Sequence, residues 1–263
     1  MKLPKVLAAL VLAISSWLAQ IQLPPGIVQI LELTSPKPPF HSITNRNSIK
    51  EPADKLTADL YKATFALYGT QTWGNKSETR FLCTATIYQK TPDGYLLLSA
   101  GHCVKGKSLP KNLTFSVAED ESQTRFSVTV VKSILDRSTN MDFTVFEWKT
   151  AREYPVFNLD IPMNAAVGDD VIIVHFSSEL GKQLSDGKIA SQIFTDESSW
   201  CDICRDNFYI TMTNMGPGSS GSAVVSKKTG KIVGITVGTA DSTMIIEPIS
   251  RFSVFVVTPE KNP

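Results

Sequence analysis

The chain has 263 residues, 42% of them hydrophobic, which is enough to bury a sizeable core. Its 26 basic side chains nearly balance 25 acidic ones, and a net charge of +1 excludes the strongly basic footprint of a nucleic-acid binder. Internal repeats and low-complexity tracts are not evident.

The amino terminus, MKLPKVLAALVLAISSWLAQIQLPPG, sets two lysines ahead of an apolar run from Val6 to about Ala19, with prolines behind it. That is the order of a secretory signal. Extended to Leu23, the run approaches membrane-spanning length, although Ser15, Ser16, Gln20 and Gln22 interrupt it. Residues 1–22 are therefore expected to be a signal peptide or an amino-terminal membrane anchor, with a plain hydrophobic helix as the remaining alternative. The protein would then be secreted or periplasmic, or held at a membrane by this segment. Residues 23–50 contain five prolines and no sustained period, and read as a linker or pro-segment.

A short helical pattern runs from Glu51 to Tyr61, with Leu56 and Leu60 on one face and Pro52 in the first turn. The texture then changes to short β-rich runs bounded by turn residues: ATFALYG, FLCTATIYQ, YLLLSA, LTFSVA, RFSVTVVKSIL, FTVFEW, VIIVHF, NFYITMT, SAVVS, KIVGITV and TMIIEP. So many short strands with few helices between them predict an all-β sandwich or barrel.

His102 stands at the end of the apolar run YLLLSAGHC, where a rigid strand would hold an imidazole within reach of a hydroxyl. Cys103 follows it, and Cys83 lies in the preceding run. A disulfide between them would close a hairpin-sized loop, worth about 3 kcal/mol in the chain-entropy model, and would pin the base. A buried strand-end histidine beside an incidental thiol is the plain alternative. In STNMDFTVFEW a single carboxylate, Asp142, leads from a polar turn into a strand. It could accept the Nδ1 proton of His102 and fix its tautomer, or merely cap its own turn. Asp136 and Glu147 are its competitors, the first in a looser turn and the second alternating onto the side of its strand opposite Phe146, so Asp142 is preferred.

His175, inside VIIVHFSS, reads as a satisfied core or loop residue. Cys201 and Cys204 in WCDIC could be redox-active, half of a zinc site, or a local structural disulfide. Zinc would need two further ligands, and neither His41 nor His175 stands at metal spacing. Asn75 and Asn112 begin glycosylation sequons that matter only in a glycosylating host.

GPGSSGSAVV, residues 216–225, puts two serines between glycines ahead of a strand. By itself it could be a surface turn. All three histidines, at 41, 102 and 175, precede Ser220, and Ser222 occupies the place where the α/β-hydrolase elbow needs glycine. The order histidine, acid, serine remains open, and it is the order found on double β-barrels.

In this order, LSAGHC, MDFTVFEW and GPGSSGSAV resemble the chymotrypsin-like (trypsin-like) serine peptidases over about residues 62 to 257. AGHC is similar to the bacterial secreted members, while GDDVIIVHF, LSDGKIAS and GKIVGITVG resemble the second barrel of HtrA-type enzymes. The resemblance implies two six-stranded antiparallel Greek-key β-barrels, an active site in the cleft between them, a short C-terminal helix, and a protease domain over 51–263. It implies an exported serine endopeptidase acting on polypeptides, with neither cofactor nor metal. Ser220 would be the nucleophile, His102 the general base and then acid, and Asp142 the orienting carboxylate. The N–H groups of Gly218 and Ser220 would form the oxyanion hole; on their own placement Cys83–Cys103 and Cys201–Cys204 are expected to be disulfides.

Asn214, Met215 and Gly216 would line the primary pocket, with Val237, Gly238 and Thr239 on the facing edge. None of 214 to 216 is charged, so a Lys or Arg preference lacks its counter-ion, and a neutral or small apolar side chain is expected. Ser219 stands where pancreatic-type enzymes carry an aspartate, so the oxyanion hole is expected to form without insertion of a newly cut amino terminus. Ser222 and Ala223 replace a glycine and a proline of the family pattern. The same barrels would also suit a non-catalytic binding module.

Overall fold

Asp54, the first described residue, caps helix α1, Lys55–Ala63: its carboxylate accepts from Thr57 N–H at 2.8 Å and from Thr57 Oγ1 at 2.6 Å. The cap places the helix start later than the Glu51 expected from periodicity. Leu60 and Ala63 face the core, as the predicted Leu56/Leu60 face requires. The computed structural model describes residues 54–105, 112–120, 124–136, 139, 141–177, 181–191, 208–211, 216–240 and 243–255. The expected signal or anchor (1–22), the proline-rich segment (23–50), Cys201, Cys204, Asn214 and Met215 lie outside the described residues. Among the described residues no helix is long and apolar enough to cross a membrane.

Twelve strands follow, and they close into two barrels. The first contains β1 (Thr64–Trp73), β2 (Lys76–Thr91), β3 (Gly94–Ser99), β4 (Leu113–Ala118), β5 (Phe126–Asp136) and β6 (Met141–Lys149). The second contains β7 (Asp170–Ser177), β8 (Gly181–Ile189), β9 (Phe208–Thr211), β10 (Ala223–Ser226), β11 (Ile232–Ala240) and β12 (Thr243–Pro248). The first runs β1-β2-β3-β6-β5-β4 and the second β10-β11-β12-β9-β8-β7, which is the same spatial order when strands are counted within each barrel. Every pairing is antiparallel. Register shifts at Leu67/Tyr68, Ile87/Gln89 and Val130/Lys132 in one barrel, and at Val224/Val225 and Thr236/Gly238 in the other, bend strands where closure needs it.

The first barrel is filled by aromatics: Phe65 meets Trp148 at 5.1 Å and Tyr154 at 5.4 Å, both edge-on. The second is filled largely by aliphatics, among them Val171, Ile173, Val224, Val233 and Ile246. Full burial of one such side chain is worth about 1.5–3 kcal/mol. β3 is buried along its whole length, which explains its unbroken apolar run and makes its end a rigid platform. The expected C-terminal helix is a 3-10 helix, Ile249–Phe255, which leaves the second barrel and sets Phe252 against Tyr88 and Phe143 of the first, at 5.7 and 5.2 Å.

Candidate active site

β3 ends at Ser99, and after Ala100 and Gly101 the chain enters the one-turn helix α2, His102–Lys105. This turn is tied down from two sides. Cys103 is bonded to Cys83 of β2, and Lys105 Nζ donates to Ser133 O of β5 at 2.6 Å. The expected disulfide is therefore present. Its two sulfurs lie beside the His102 ring, and because they are bonded to each other they offer no thiolate to a metal.

Asp142, second residue of β6, grips His102 at two points. Its Oδ1 accepts from the His102 backbone N–H at 2.7 Å, and its Oδ2 lies 2.6 Å from Nδ1. A carboxylate so placed takes the Nδ1 hydrogen and leaves Nε2 as the ring's free acceptor. The competing acids are engaged elsewhere: Asp136 accepts from Thr139 Oγ1 at 2.8 Å, and Glu147 lies 4.0 Å from Lys149 Nζ.

Ser220 comes from the second barrel and is brought to the same place through its backbone. Thr84 N–H, next to Cys83, donates to Ser220 O at 2.9 Å. At Gly221, φ is +82°, and an added Cβ would fall 2.3 Å from Ser99 Oγ and 2.7 Å from Ala100 N. Only glycine permits that approach, and it seats Ser220 beside the strand end that carries His102. Among the described residues Ser220 Oγ itself has no hydrogen-bond partner, so its bond to His102 is not made here. Such contacts often tighten only with substrate in place.

The preceding residues form a β-turn whose chemistry is written in GPGS. Pro217 takes the second position, Gly218 the third with φ +98°, and Ser219 N–H closes the turn onto Gly216 O at 3.0 Å. Proline second and a positive-φ glycine third is the signature of a type II turn. Thr84 Oγ1 donates to Gly218 O at 2.9 Å. Ser219 O accepts from Ser222 Oγ at 2.6 Å and Thr236 Oγ1 at 2.5 Å. A trans peptide points its N–H opposite its C=O, so holding the Ser219 carbonyl inward turns the Ser220 N–H outward. Among the described residues neither Gly218 N–H nor Ser220 N–H has an acceptor.

Gly216 is half-buried, and a Cβ there would sit 3.1 Å from Ser177 Oγ. Val237 is buried, Gly238 half-buried and Thr239 exposed. β11 pairs with β10 through Ile235 but with β12 as far as Ala240. Beyond Ile235, therefore, one edge of β11 carries no partner strand among the described residues.

Two neighbours of these residues, and the partner of a third, were not expected from the sequence. Thr84, fully buried, joins the barrels: besides its bonds to Gly218 and Ser220, its Oγ1 accepts from Phe176 N–H at 2.9 Å. Its signal was a polar residue inside the buried run FLCTATIY. Glu247, fully buried in β12, accepts from Asp142 N–H through Oε2 at 2.9 Å. Burial and the neighbouring Asp142 charge push its carboxyl up to about 9, so it is a neutral acid behind Asp142. The lone acid in TMIIEP was its signal. His175 is the satisfied core histidine expected, with burial pushing it down to about 4, but its partner is Ser219, adjacent to Ser220.

The family model for the trypsin-like peptidase domain matches residues 83–235, from the cysteine of β2 to the middle of β11. This is more than half of the chain, and the chain belongs to that family. A comparison with curated proteins gave no match.

Proposed function

We propose that the chain is an exported serine endopeptidase. Ser220 Oγ attacks the scissile carbonyl carbon while its proton passes to His102 Nε2. The tetrahedral oxyanion is received by the Gly218 and Ser220 N–H groups. The C–N bond then breaks as His102 returns the proton to the leaving amine, leaving an acyl-Ser220 ester. Water, deprotonated by the same imidazole, hydrolyses that ester and restores the hydroxyl. Asp142 keeps the ring in one tautomer and stabilises its cation.

The observation that carries this reading is the two-point grip of Asp142 on His102, 2.7 Å to the backbone N–H and 2.6 Å to Nδ1. A capping aspartate has no use for the second contact. The edge of β11 at Val237, Gly238 and Thr239, which carries no partner strand among the described residues, supports an extended polypeptide added as a further strand. The uncharged 214–216 stretch supports a neutral or small apolar residue before the cleaved bond. Export rests on the charged-then-apolar amino terminus, and the disulfide fits an oxidising compartment.

A phosphonofluoridate probe tests the reading. Covalent labelling of the wild type that disappears in Ser220→Ala is the expected result. The unmade bond between Ser220 Oγ and His102 is what a non-catalytic binding module would have, and a folded wild type that takes up no label would favour it.

A further inference from the structure

His175 lies in β7 between Val174 and Phe176, fully buried, where an imidazole is costly unless both nitrogens are bonded. Both are, and only by hydroxyls: Nδ1 lies 3.0 Å from Ser219 Oγ, and Nε2 3.1 Å from Ser185 Oγ of β8. Ser219, 2% exposed, is also reached by Gly216 N–H, whose bond to Ser219 Oγ measures 3.3 Å. Among the described residues the one acceptor near the Ser219 hydroxyl proton is Nδ1. The chain therefore has a direction: Gly216 N–H to Ser219 Oγ, Ser219 O–H to Nδ1, and Nε2–H to Ser185 Oγ.

This chain ends on the turn that carries the oxyanion amides. Ser219 is the last residue of the 216–219 turn, which is closed twice, by its N–H onto Gly216 O and by its hydroxyl from Gly216 N–H. Type I and type II turns differ in the orientation of their middle peptide, here Pro217–Gly218. Rotating that peptide would point the Gly218 N–H away from the cleft. Thr84 Oγ1 holds the Gly218 carbonyl, and the Ser222 and Thr236 hydroxyls hold that of Ser219; the buried ring adds the tie that fixes the Ser219 side chain, and with it the second closure of the turn by Gly216 N–H.

We propose that His175 is a positioning residue for catalysis, a fixed post in the second barrel that holds Ser219 and so keeps the Gly218 and Ser220 amides aimed at the oxyanion. The proposal rests on the serine-peptidase reading. It also supplies an anchor for a site expected to need no newly cut amino terminus: a neutral ring and a hydroxyl, where no carboxylate stands at 219.

The test compares the wild type with His175→Phe, His175→Asn, Ser219→Ala and the double variant His175→Phe/Ser219→Ala. The readouts are the second-order rate of phosphonofluoridate labelling at Ser220, and kcat and KM on fluorescent casein. His175→Phe should slow labelling and kcat roughly 100-fold, the scale of losing one oxyanion donor, with KM little changed. His175→Asn, whose amide oxygen can reach the Nδ1 position, should recover most of the loss. Ser219→Ala should reproduce the loss, and the double variant should be no slower than either single one, because both break one chain. If His175→Phe does not fold, Ser219→Ala carries the same expectation. A labelled wild type with His175→Phe or Ser219→Ala labelled at the same rate overturns the proposal alone, as does a double variant whose losses multiply. A folded wild type that takes no label overturns the peptidase reading and the proposal with it.

Discussion

Thr84 of the first barrel holds Gly218 of the second: its Oγ1 donates to the Gly218 carbonyl at 2.9 Å while accepting from Phe176 N–H at the same distance. One hydroxyl thus satisfies two main-chain groups across the barrel junction. Thr84→Val keeps the shape and removes both bonds, leaving a half-buried carbonyl and a buried amide unpaired. Each such group costs about 1–3 kcal/mol. Denaturant unfolding should register a loss of this size, and probe labelling should slow with it. An unchanged midpoint together with unchanged labelling would refute the role.

Asp142→Asn should be far more damaging to activity than to stability. The amide retains an acceptor for the His102 N–H but places a donor or a neutral oxygen against Nδ1, which releases the tautomer. A loss of roughly 10⁴-fold in kcat near neutral pH is expected, with a thermal midpoint close to that of the wild type. Steady-state peptidase assays check it, and a variant with more than a tenth of wild-type kcat would contradict the assignment.

Replacing Cys83 and Cys103 together by serine should cost about 3 kcal/mol, the chain-entropy value for a loop of this size. The bond spans 20 residues and secures the turn that bears His102. Unfolding in the presence and absence of a reductant should differ more in the wild type than in the double variant, by about 3 kcal/mol.

Glu247 gives stability a pH dependence whose sign can be stated. Its folded pKa, about 9, lies above the ordinary 4.5, so between those values the folded carboxyl holds a proton that the unfolded one has lost. The unfolded state then binds fewer protons, and stability falls as pH rises through this window, by at most about 1.4 kcal/mol per pH unit. Glu247→Gln keeps an oxygen for Asp142 N–H and should flatten the slope between pH 5 and 9. An equally steep variant would remove Glu247 as the cause.

His175 acts in the opposite sense on the acid side. Its folded pKa of about 4 lies below the ordinary 6.5, so below 6.5 the unfolded ring takes up a proton that the folded ring refuses. Stability is full above about pH 6.5 and is lost as pH falls toward 4. Denaturant titrations at pH 4.5 and 7 should show a smaller difference for His175→Asn than for the wild type.

What could be read from the sequence was whatever is written within one strand and its flanking turns. YLLLSAGHC places a polar ring at the end of an apolar run, and GPGS spells its own turn. β8 is not among the apolar runs read as strands because Lys182, Gln183, Asp186 and Lys188 dominate it, Leu184 faces solvent, and between Gly181 and Ile189 its buried residue is Ser185. Thr84, Glu247 and the tie from His175 to Ser219 were hidden for another reason. Each depends on which segment faces it: Glu247 meets Asp142 from 105 positions away and Thr84 meets Gly218 from 134. Local patterning carries no record of such encounters, although in each case an isolated polar letter in an apolar stretch marked the place.

The division of Asp142 and His102 from Ser220 between two separately closed cylinders has a practical corollary. On the proposed assignment neither cylinder alone can acylate, so reactivity gauges the seam between them. Small amounts of denaturant that loosen the seam while both sets of strands stay intact should silence the protein first, making loss of labelling an earlier alarm than any spectroscopic sign of melting.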